Sequence, residues 1–244
     1  MAEGKEDFPV DFQNQEDPRR LVLYSDESIL VVNKPAGLLT VPDGYHRELP
    51  TIRSFLEPQW GRCWIVHRLD KDTSGVMVIA RTPEAHRDLN RQFASREVHK
   101  VYHAICAGSP CEDEWQINFP LRVNGDRNHR TVVDPVQGKP ALTVIRVLRR
   151  LACTCLVAAM PFTGYTHQIR AHLSSSGFPL LGDPLYRIPR TFTGPVPDFS
   201  SLPIFSRPAL HAFQIHFLHP ETGQSVEFTA PYPVDFQALL DQLS

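Results

Sequence analysis

The chain offers little sulfur chemistry. Its 244 residues include five cysteines, Cys63, Cys106, Cys111, Cys153 and Cys155. They form an odd set with no CxxC pair, and the paired Cys/His knuckles of a zinc site are missing. Buried, reduced thiols are the expectation, with Cys153 and Cys155 on one face of a strand. HExxH is missing too, although 11 histidines are present. His167 and His172 stand five apart, not at the i, i+4 spacing of a helical zinc pair. No apolar run is long enough to span a bilayer. The opening residues, Met1 to Asp7, lack both the apolar core of a signal peptide and the arginines of a transit peptide. The expected compartment is the cytoplasm. There is no internal repeat and no regular βαβ alternation, which points away from a parallel α/β sheet.

What is present describes a folded protein of ordinary composition. Hydrophobic residues make up 42% and charged residues 21%, enough apolar surface for a substantial core in one large domain or two small subdomains. The net charge of −2 hides a segregation. Residues 1–59 hold 6 Lys/Arg against 11 Asp/Glu, and residues 191–244 hold 1 against 5. Between them, residues 60–190 hold 18 against 11. A basic body between acidic ends is compatible with a polyanionic ligand despite the near-neutral total.

Local patterns place most elements. Residues 1–18 read as an acidic, mobile tail. Leu21 to Tyr24 and Ile29 to Val32 read as short strands across a turn, the second leading into the Pro/Gly loop Asn33-Lys34-Pro35-Ala36-Gly37. Thr51 to Leu56 suits a short helix, and Val76 to Ala80 a buried strand. Thr82-Pro83-Glu84 supplies an N-cap, a first-turn proline and a first-turn acid, so 83–95 is a helix with Ala85, Leu89 and Phe93 inward. His99 to Cys106 reads as a strand carrying Tyr102. Ala141 to Leu148 and Leu151 to Met160 read as a pair turning at Arg149-Arg150. Thr166 to Ser175 suits a helix stopped by Gly177. Phe178 to Pro208 is rich in Pro and Gly and reads as irregular. Leu210 to Leu218 and Val226 to Thr229 suggest a hairpin, and Val234 to Leu243 a closing helix. Together these predict an α+β fold with a mixed, largely antiparallel sheet and flanking helices.

The densest polar signal is His67-Arg68-Leu69-Asp70-Lys71-Asp72-Thr73-Ser74-Gly75, immediately before the strand at Val76. It puts Asp70 on a loop anchored by a rigid element, where sheet enzymes hold their chemistry. An Asx-turn that only caps backbone amides is the structural alternative. The segments Asn33 to Leu38, His67 to Gly75, Lys100-Val101-Tyr102-His103-Ala104 and Gly164-Tyr165-Thr166-His167-Gln168-Ile169-Arg170 occur in that order. In order and wording they resemble the RluA-type pseudouridine synthases, which isomerise selected uridines in RNA. Gly138-Lys139-Pro140-Ala141-Leu142-Thr143 and Leu181-Gly182-Asp183-Pro184-Leu185-Tyr186 add weaker matches.

The resemblance covers roughly residue 20 to the C-terminus and implies a catalytic domain over 19–244 with a central active-site cleft. It implies that Asp70 attacks as nucleophile or acts as base beside the ribose, with both roles open. It gives Tyr102 the place of an active-site aromatic, Arg170 that of the guanidinium paired with the carboxylate, and Ile169 that of an apolar residue against the base. Arg68 would enter the space vacated by a flipped base. His67, Lys71 and Lys139 complete the expected substrate-binding set, the two lysines as phosphate contacts. Asp72 reads as a turn-stabilising carboxylate. Because the reaction is an isomerisation, neither a cofactor nor a metal is implied. The expected partner is transfer or ribosomal RNA, and the expected state is a monomer. The family usually carries Arg where this chain has Tyr165, a difference at a phosphate or loop contact. The small RNA-binding S4 domain of many relatives is not recognisable, so the catalytic body is expected to recognise RNA alone. Two other classes stay open: an RNA-binding module on a retired synthase fold, and a metal-dependent hydrolase using His167 and His172.

Overall fold

The computed structural model describes residues 17–44, 46–151, 153–188 and 203–244. The expected tail falls on residues 1–16, outside that set, except for its end. There Asp17 caps a 3-10 turn, Pro18–Leu21, by accepting from the backbone N–H of Arg19.

The sheet runs through the strands β1 (Val22–Ser25), β2 (Ile29–Lys34), β3 (Trp64–Ile65), β4 (Ser74–Ala80), β5 (His99–Ala107) and β6 (Glu114–Ile117). It continues with β9 (Thr143–Leu151), β10 (Thr154–Pro161), β11 (Leu210–Leu218) and β12 (Ser225–Thr229). Its order is β1-β2-β4-β11-β5-β10-β9-β6, with β3 beside β4 and β12 beside β11. β7 (Leu121–Arg122) and β8 (Val132–Val133) form a separate two-stranded ribbon. Among the described residues four α-helices flank the sheet: α1 (Ile52–Trp60), α2 (Pro83–Ala94), α3 (Gln168–Ser175) and α4 (Val234–Leu243). The α+β reading therefore holds. Among the described strands pairing is antiparallel except between β4 and β11, where His211 and Ala212 face Ser74 and Gly75 in parallel register.

That exception sits at the middle of the sheet and explains one residue of the dense motif. Gly75 has φ 124°, and a Cβ there would collide with the backbone of Ala212. Only glycine lets β11 approach this closely in that conformation. The core is divided around the same line. One cluster packs β2 and β4 (Ile29 to Val32, Val76 to Ala80) against Ile52, Leu56, Ala85 and Leu89 of α1 and α2. A second packs β5, β9 and β10 against Ile169 and Leu173 of α3, and Tyr102 touches both. A third seats Phe236, Leu239 and Leu240 of α4.

Several boundaries moved for identifiable reasons. Asn33 and Lys34 belong to β2, because both continue its pairing with β4. α1 extends four residues past Leu56 through Pro58 and ends at Gly61, with Thr51 and Ser54 forming a reciprocal cap. Arg149 and Arg150 are not the turn. They lie within β9 opposite Leu156 and Cys155, and their side chains reach Ser244 and the 110–113 loop. Cys153 is exposed ahead of β10 while Cys155 is buried across from Cys106, so the two do not share a strand face. α3 starts at Gln168 because His167 takes a left-handed conformation, φ 55°. Of the irregular 178–208 stretch, residues 189–202 lie outside the described set.

Candidate active site

The middle of the sheet carries a cleft of about 420 Å³, within the usual range for small-ligand pockets. Three segments line it: His67 to Asp70 with Thr73, the end of α2 with Lys100 and Tyr102 of β5, and the stretch Pro161 to Arg170. Asp70 lies here, its side chain 22% exposed.

The loop that presents Asp70 is held by its backbone on every side. The Thr40 hydroxyl donates to the Leu69 carbonyl at 2.8 Å and accepts from the Leu69 N–H at 3.2 Å. The Thr73 N–H closes a turn onto the Asp70 carbonyl. The Lys71 carbonyl accepts from the Gly37 N–H at 2.8 Å and from Lys34 Nζ at 3.0 Å. Arg207 Nη1 donates to the Asp72 carbonyl at 3.1 Å. Lys34 is fully buried, and its Nζ also donates to the carbonyls of Pro35 (2.9 Å) and Leu38 (2.7 Å). Burial pulls its pKa down to about 7 against the opposing pull of Asp72 and Asp70. Three carbonyl acceptors match the three donors of an ammonium, which favours the charged form. Arg207 is itself clamped by Asp235 at the start of α4, at 2.6 and 2.9 Å. The carboxylate is thereby preorganised by a loop whose carbonyls at Leu69, Asp70, Lys71 and Asp72 are all hydrogen-bonded.

Around Asp70 the site groups sort by depth. Arg170 Nη1 stands 4.0 Å from Asp70 Oδ2. The rest of its guanidinium is committed elsewhere, forking onto Asp183 with Nε–Oδ2 2.7 Å and Nη2–Oδ1 2.8 Å. The Asp183 side chain is 0% exposed, and its Oδ1 also accepts from the backbone N–H groups of Leu185 and Tyr186. Asp183 thus fixes the guanidinium and leaves one edge aimed at Asp70. Tyr186 covers the face of Arg170, 4.9 Å from the guanidinium carbon. The Tyr186 hydroxyl accepts from the Thr131 N–H at 2.8 Å and lies 3.0 Å from His167 Nδ1. Burial lowers the His167 pKa, with Asp70 opposing and Arg170 assisting, which favours a neutral ring. With the Tyr186 hydroxyl proton given to Nδ1, the imidazole N–H is at Nε2, 3.7 Å from Asp70 Oδ2.

Tyr102 shares the cleft, and burial, then the Asp70 charge, raise its pKa well above the ordinary phenol value. It is a neutral hydroxyl, not a phenolate. His67 lines the cleft but is spoken for: its Nε2 accepts from the Val78 N–H at 3.1 Å and its ring stacks on Phe93 at 4.7 Å. Burial, helped by the Lys100 charge, holds it neutral with a pKa of about 3. Ile169 is buried in the cleft wall and Arg68 is exposed at its edge. Lys71 and Lys139 are exposed and outside the cleft wall, so the geometry does not bring these two to the carboxylate. Asp72 is not part of the wall either. Among the described residues no group of three or more His, Cys, Asp or Glu could hold a metal. His172 is engaged instead with Thr143 (2.9 Å) and the Phe119 carbonyl (3.0 Å).

Sequence reasoning passed over Asp183, Tyr186, Thr40 and Arg207 as parts of the site, and weighed His167 only as a metal ligand. Asp183 and Tyr186 sat in a stretch with a visible pattern, Leu181 to Tyr186, whose chemistry shows only once it folds back onto α3.

Comparison with known proteins points the same way. A family model described as RNA pseudouridylate synthase matches residues 28–175. Ribosomal large subunit pseudouridine synthase D of Neisseria meningitidis serogroup B is 37% identical over 91% of this chain. This chain spans 60% of that relative's length. The dual-specificity RNA pseudouridine synthase RluA of Pasteurella multocida is 36% identical over 88% of this chain and 94% of its own. Among solved structures, human RNA pseudouridylate synthase domain containing 1 superposes with a TM-score of 0.68 at 29% identity, over 87% of this chain and 83% of its own. Human RNA pseudouridylate synthase domain containing 4 shares the fold, with a TM-score of 0.74 at 24% identity, over 96% of this chain and 98% of its own.

Proposed function

The chain belongs to the RNA pseudouridylate synthase family, and from that premise we propose that it isomerises uridine in ribosomal or transfer RNA to pseudouridine, with Asp70 as the reacting carboxylate. The observation that carries this reading is Asp70 itself: one carboxylate facing the cleft, clamped through its loop, with Arg170 Nη1 at 4.0 Å. The reaction breaks the ribose C1′–N1 bond and forms C1′–C5. The hydrogen leaves C5 as a proton and N1 gains one, so composition is unchanged and no redox partner enters. Arg170, held at 4.0 Å, gives the Asp70 carboxylate a fixed cationic partner that aims it, whether it adds to the sugar or removes a proton from it. Tyr102, a neutral hydroxyl on an aromatic face, supports the detached base and can exchange a proton with it. Ile169 packs against the base, and Arg68, at the cleft edge, takes the place of the flipped nucleotide. No described helix is long and apolar enough to cross a membrane.

The test is Asp70→Asn assayed by site-resolved pseudouridine mapping on RNA from a strain lacking the gene. Product should disappear while RNA binding persists. An Asp70→Asn protein that still converts uridine removes the carboxylate from the mechanism, and wild-type protein that binds RNA without ever forming pseudouridine removes the activity.

A further inference from the structure

The cleft wall carries more positive charge than its chemistry uses. Its Lys and Arg residues are Arg68, Arg96, Lys100 and Arg170, and its only acid is Asp70. Arg170 is matched by Asp183 and Asp70. The side chains of Arg68, Arg96 and Lys100 make no ion pair or hydrogen bond with any described residue. Many cations elsewhere are paired, including Arg53, Arg87, Arg91, Arg122, Arg130, Arg146, Arg150 and Arg207. Arg68 already has a place in the proposed reaction; Arg96 and Lys100 have none.

Lys100 is the second residue of β5, two before Tyr102, so the two share a strand face. It is half-buried, and burial alone lowers its pKa. An ammonium desolvated without a partner is unfavourable unless an anion arrives to satisfy it. Arg96 is placed by a different device. α2 ends at Ala94, and Arg96 follows it with φ 62°, while the Glu97 N–H reaches back to the Gln92 carbonyl at 2.9 Å. That is a helix-ending position at which glycine is the unstrained residue. Arginine there accepts backbone strain and projects an unpaired guanidinium from the cleft rim.

We propose that Arg96 and Lys100 form a phosphate-binding subsite, on the cleft wall between α2 and β5, that takes backbone phosphates of the RNA strand entering beside Asp70. The identity of the strand rests on the synthase reading; the anion chemistry does not. Lys100 grips at the base of the wall and Arg96 at its rim, so the strand is held on the side of the cleft that bears Tyr102.

The experiment measures binding of fluorescein-labelled oligouridylate by anisotropy across a salt series, in an Asp70→Asn background that prevents turnover. Variants are Lys100→Gln, Lys100→Arg, Arg96→Gly and the Lys100→Gln/Arg96→Gly pair. Each lost phosphate contact should flatten the log–log salt slope by about 0.7, which at 0.1 M salt corresponds to roughly fivefold weaker binding. The double variant should lose about twice that slope, and Lys100→Arg should keep the parental slope. Arg96→Gly should bind more weakly while melting no lower than its parent, because glycine relieves the left-handed strain. Slopes equal to the parent's overturn the subsite, as does a Lys100→Gln enzyme, with Asp70 intact, that loses rate at saturating RNA yet keeps its salt slope. Pseudouridine formation by the wild-type protein is scored separately, so failure of the synthase reading and failure of the subsite give different results.

Discussion

Replacing Asp183 by Asn should cost heavily in both stability and rate while leaving the cleft wall untouched. The side chain of Asp183 is 0% exposed, and that of Arg170 is 7% exposed. Four N–H donors converge on the carboxylate: Nε and Nη2 of Arg170 and the backbone of Leu185 and Tyr186. Asparagine keeps one acceptor oxygen, which can serve the two backbone groups, but turns an NH2 toward Arg170 Nε. The guanidinium keeps its Nη2 bond to the remaining oxygen, but among the described residues its one opposite charge is then Asp70 at 4.0 Å. Breaking a buried pair from one side costs about 3–5 kcal/mol. With a urea dependence of roughly 3 kcal/mol per M for a domain of this size, the unfolding midpoint should fall by about 1 M or more. The single-turnover rate should fall with it, because the guanidinium edge facing Asp70 is no longer fixed. The Arg170→Leu/Asp183→Asn double variant should recover part of the lost stability, as the unpaired charge is gone. A midpoint within about 0.3 M of wild type for Asp183→Asn, or additive losses in the double variant, would refute the view that Asp183 anchors Arg170.

Three further changes probe other parts of the design. Gly75→Ala should destabilise the fold by roughly 3–5 kcal/mol through left-handed strain and overlap with Ala212; a wild-type melting temperature would contradict the β4–β11 contact. Thr40→Val removes the hydroxyl that bonds both backbone groups of Leu69. It should cost about 2–3 kcal/mol and slow single-turnover conversion at least tenfold while the RNA dissociation constant changes less than twofold; an unchanged rate argues that the Asp70 loop does not need this clamp. Burial lowers the pKa of His67 to about 3 and of His103 and His211 to about 4. The unfolded chain takes up these protons near pH 6.5 and the folded chain does not, so their contribution is complete above about pH 6.5 and is lost as pH falls toward 4. Each group can remove up to about 1.4 kcal/mol per pH unit, and a urea midpoint independent of pH from 7 to 4.5 would exclude this.

The parts of the molecule legible in the sequence are those written in local code. α2 was readable because its cap, first-turn proline and inward residues lie within a dozen positions, and the structure runs it from Pro83 to Ala94. α4 and the β11–β12 hairpin follow for the same reason. The short strands β3, β6, β7 and β8 were not readable, since two to four residues carry too little periodicity to separate from loop. The β9–β10 turn was misplaced because a pair of arginines suggests a turn by polarity. Here their long side chains instead reach around a strand to partners at its edge. The parallel β4–β11 pairing joins residues more than 130 positions apart, and its only local trace is Gly75.

The same division runs through the site. Asp70, Arg68, Tyr102 and Arg170 sit in contiguous, unusual wording; of the groups that hold them, Lys34 and Asp183 lie in patterned stretches that do not reveal their part, and Thr40 and Arg207 stand singly. A lysine at the end of a strand, or a lone arginine before Pro208, has no sequence-level mark that tells a buried structural cation from a surface one. What separates them is burial together with saturation, since every Nζ hydrogen of Lys34 meets a carbonyl and both terminal nitrogens of Arg207 are bound. Arg96 and Lys100 show the opposite combination, cations on the cleft wall with no described partner. A buried, saturated cation has finished its interactions within the fold and can only support. A cation left unsatisfied on a cleft wall retains its full capacity for an anion, and that contrast is the physical basis for assigning the first pair to the scaffold and the second to the incoming strand.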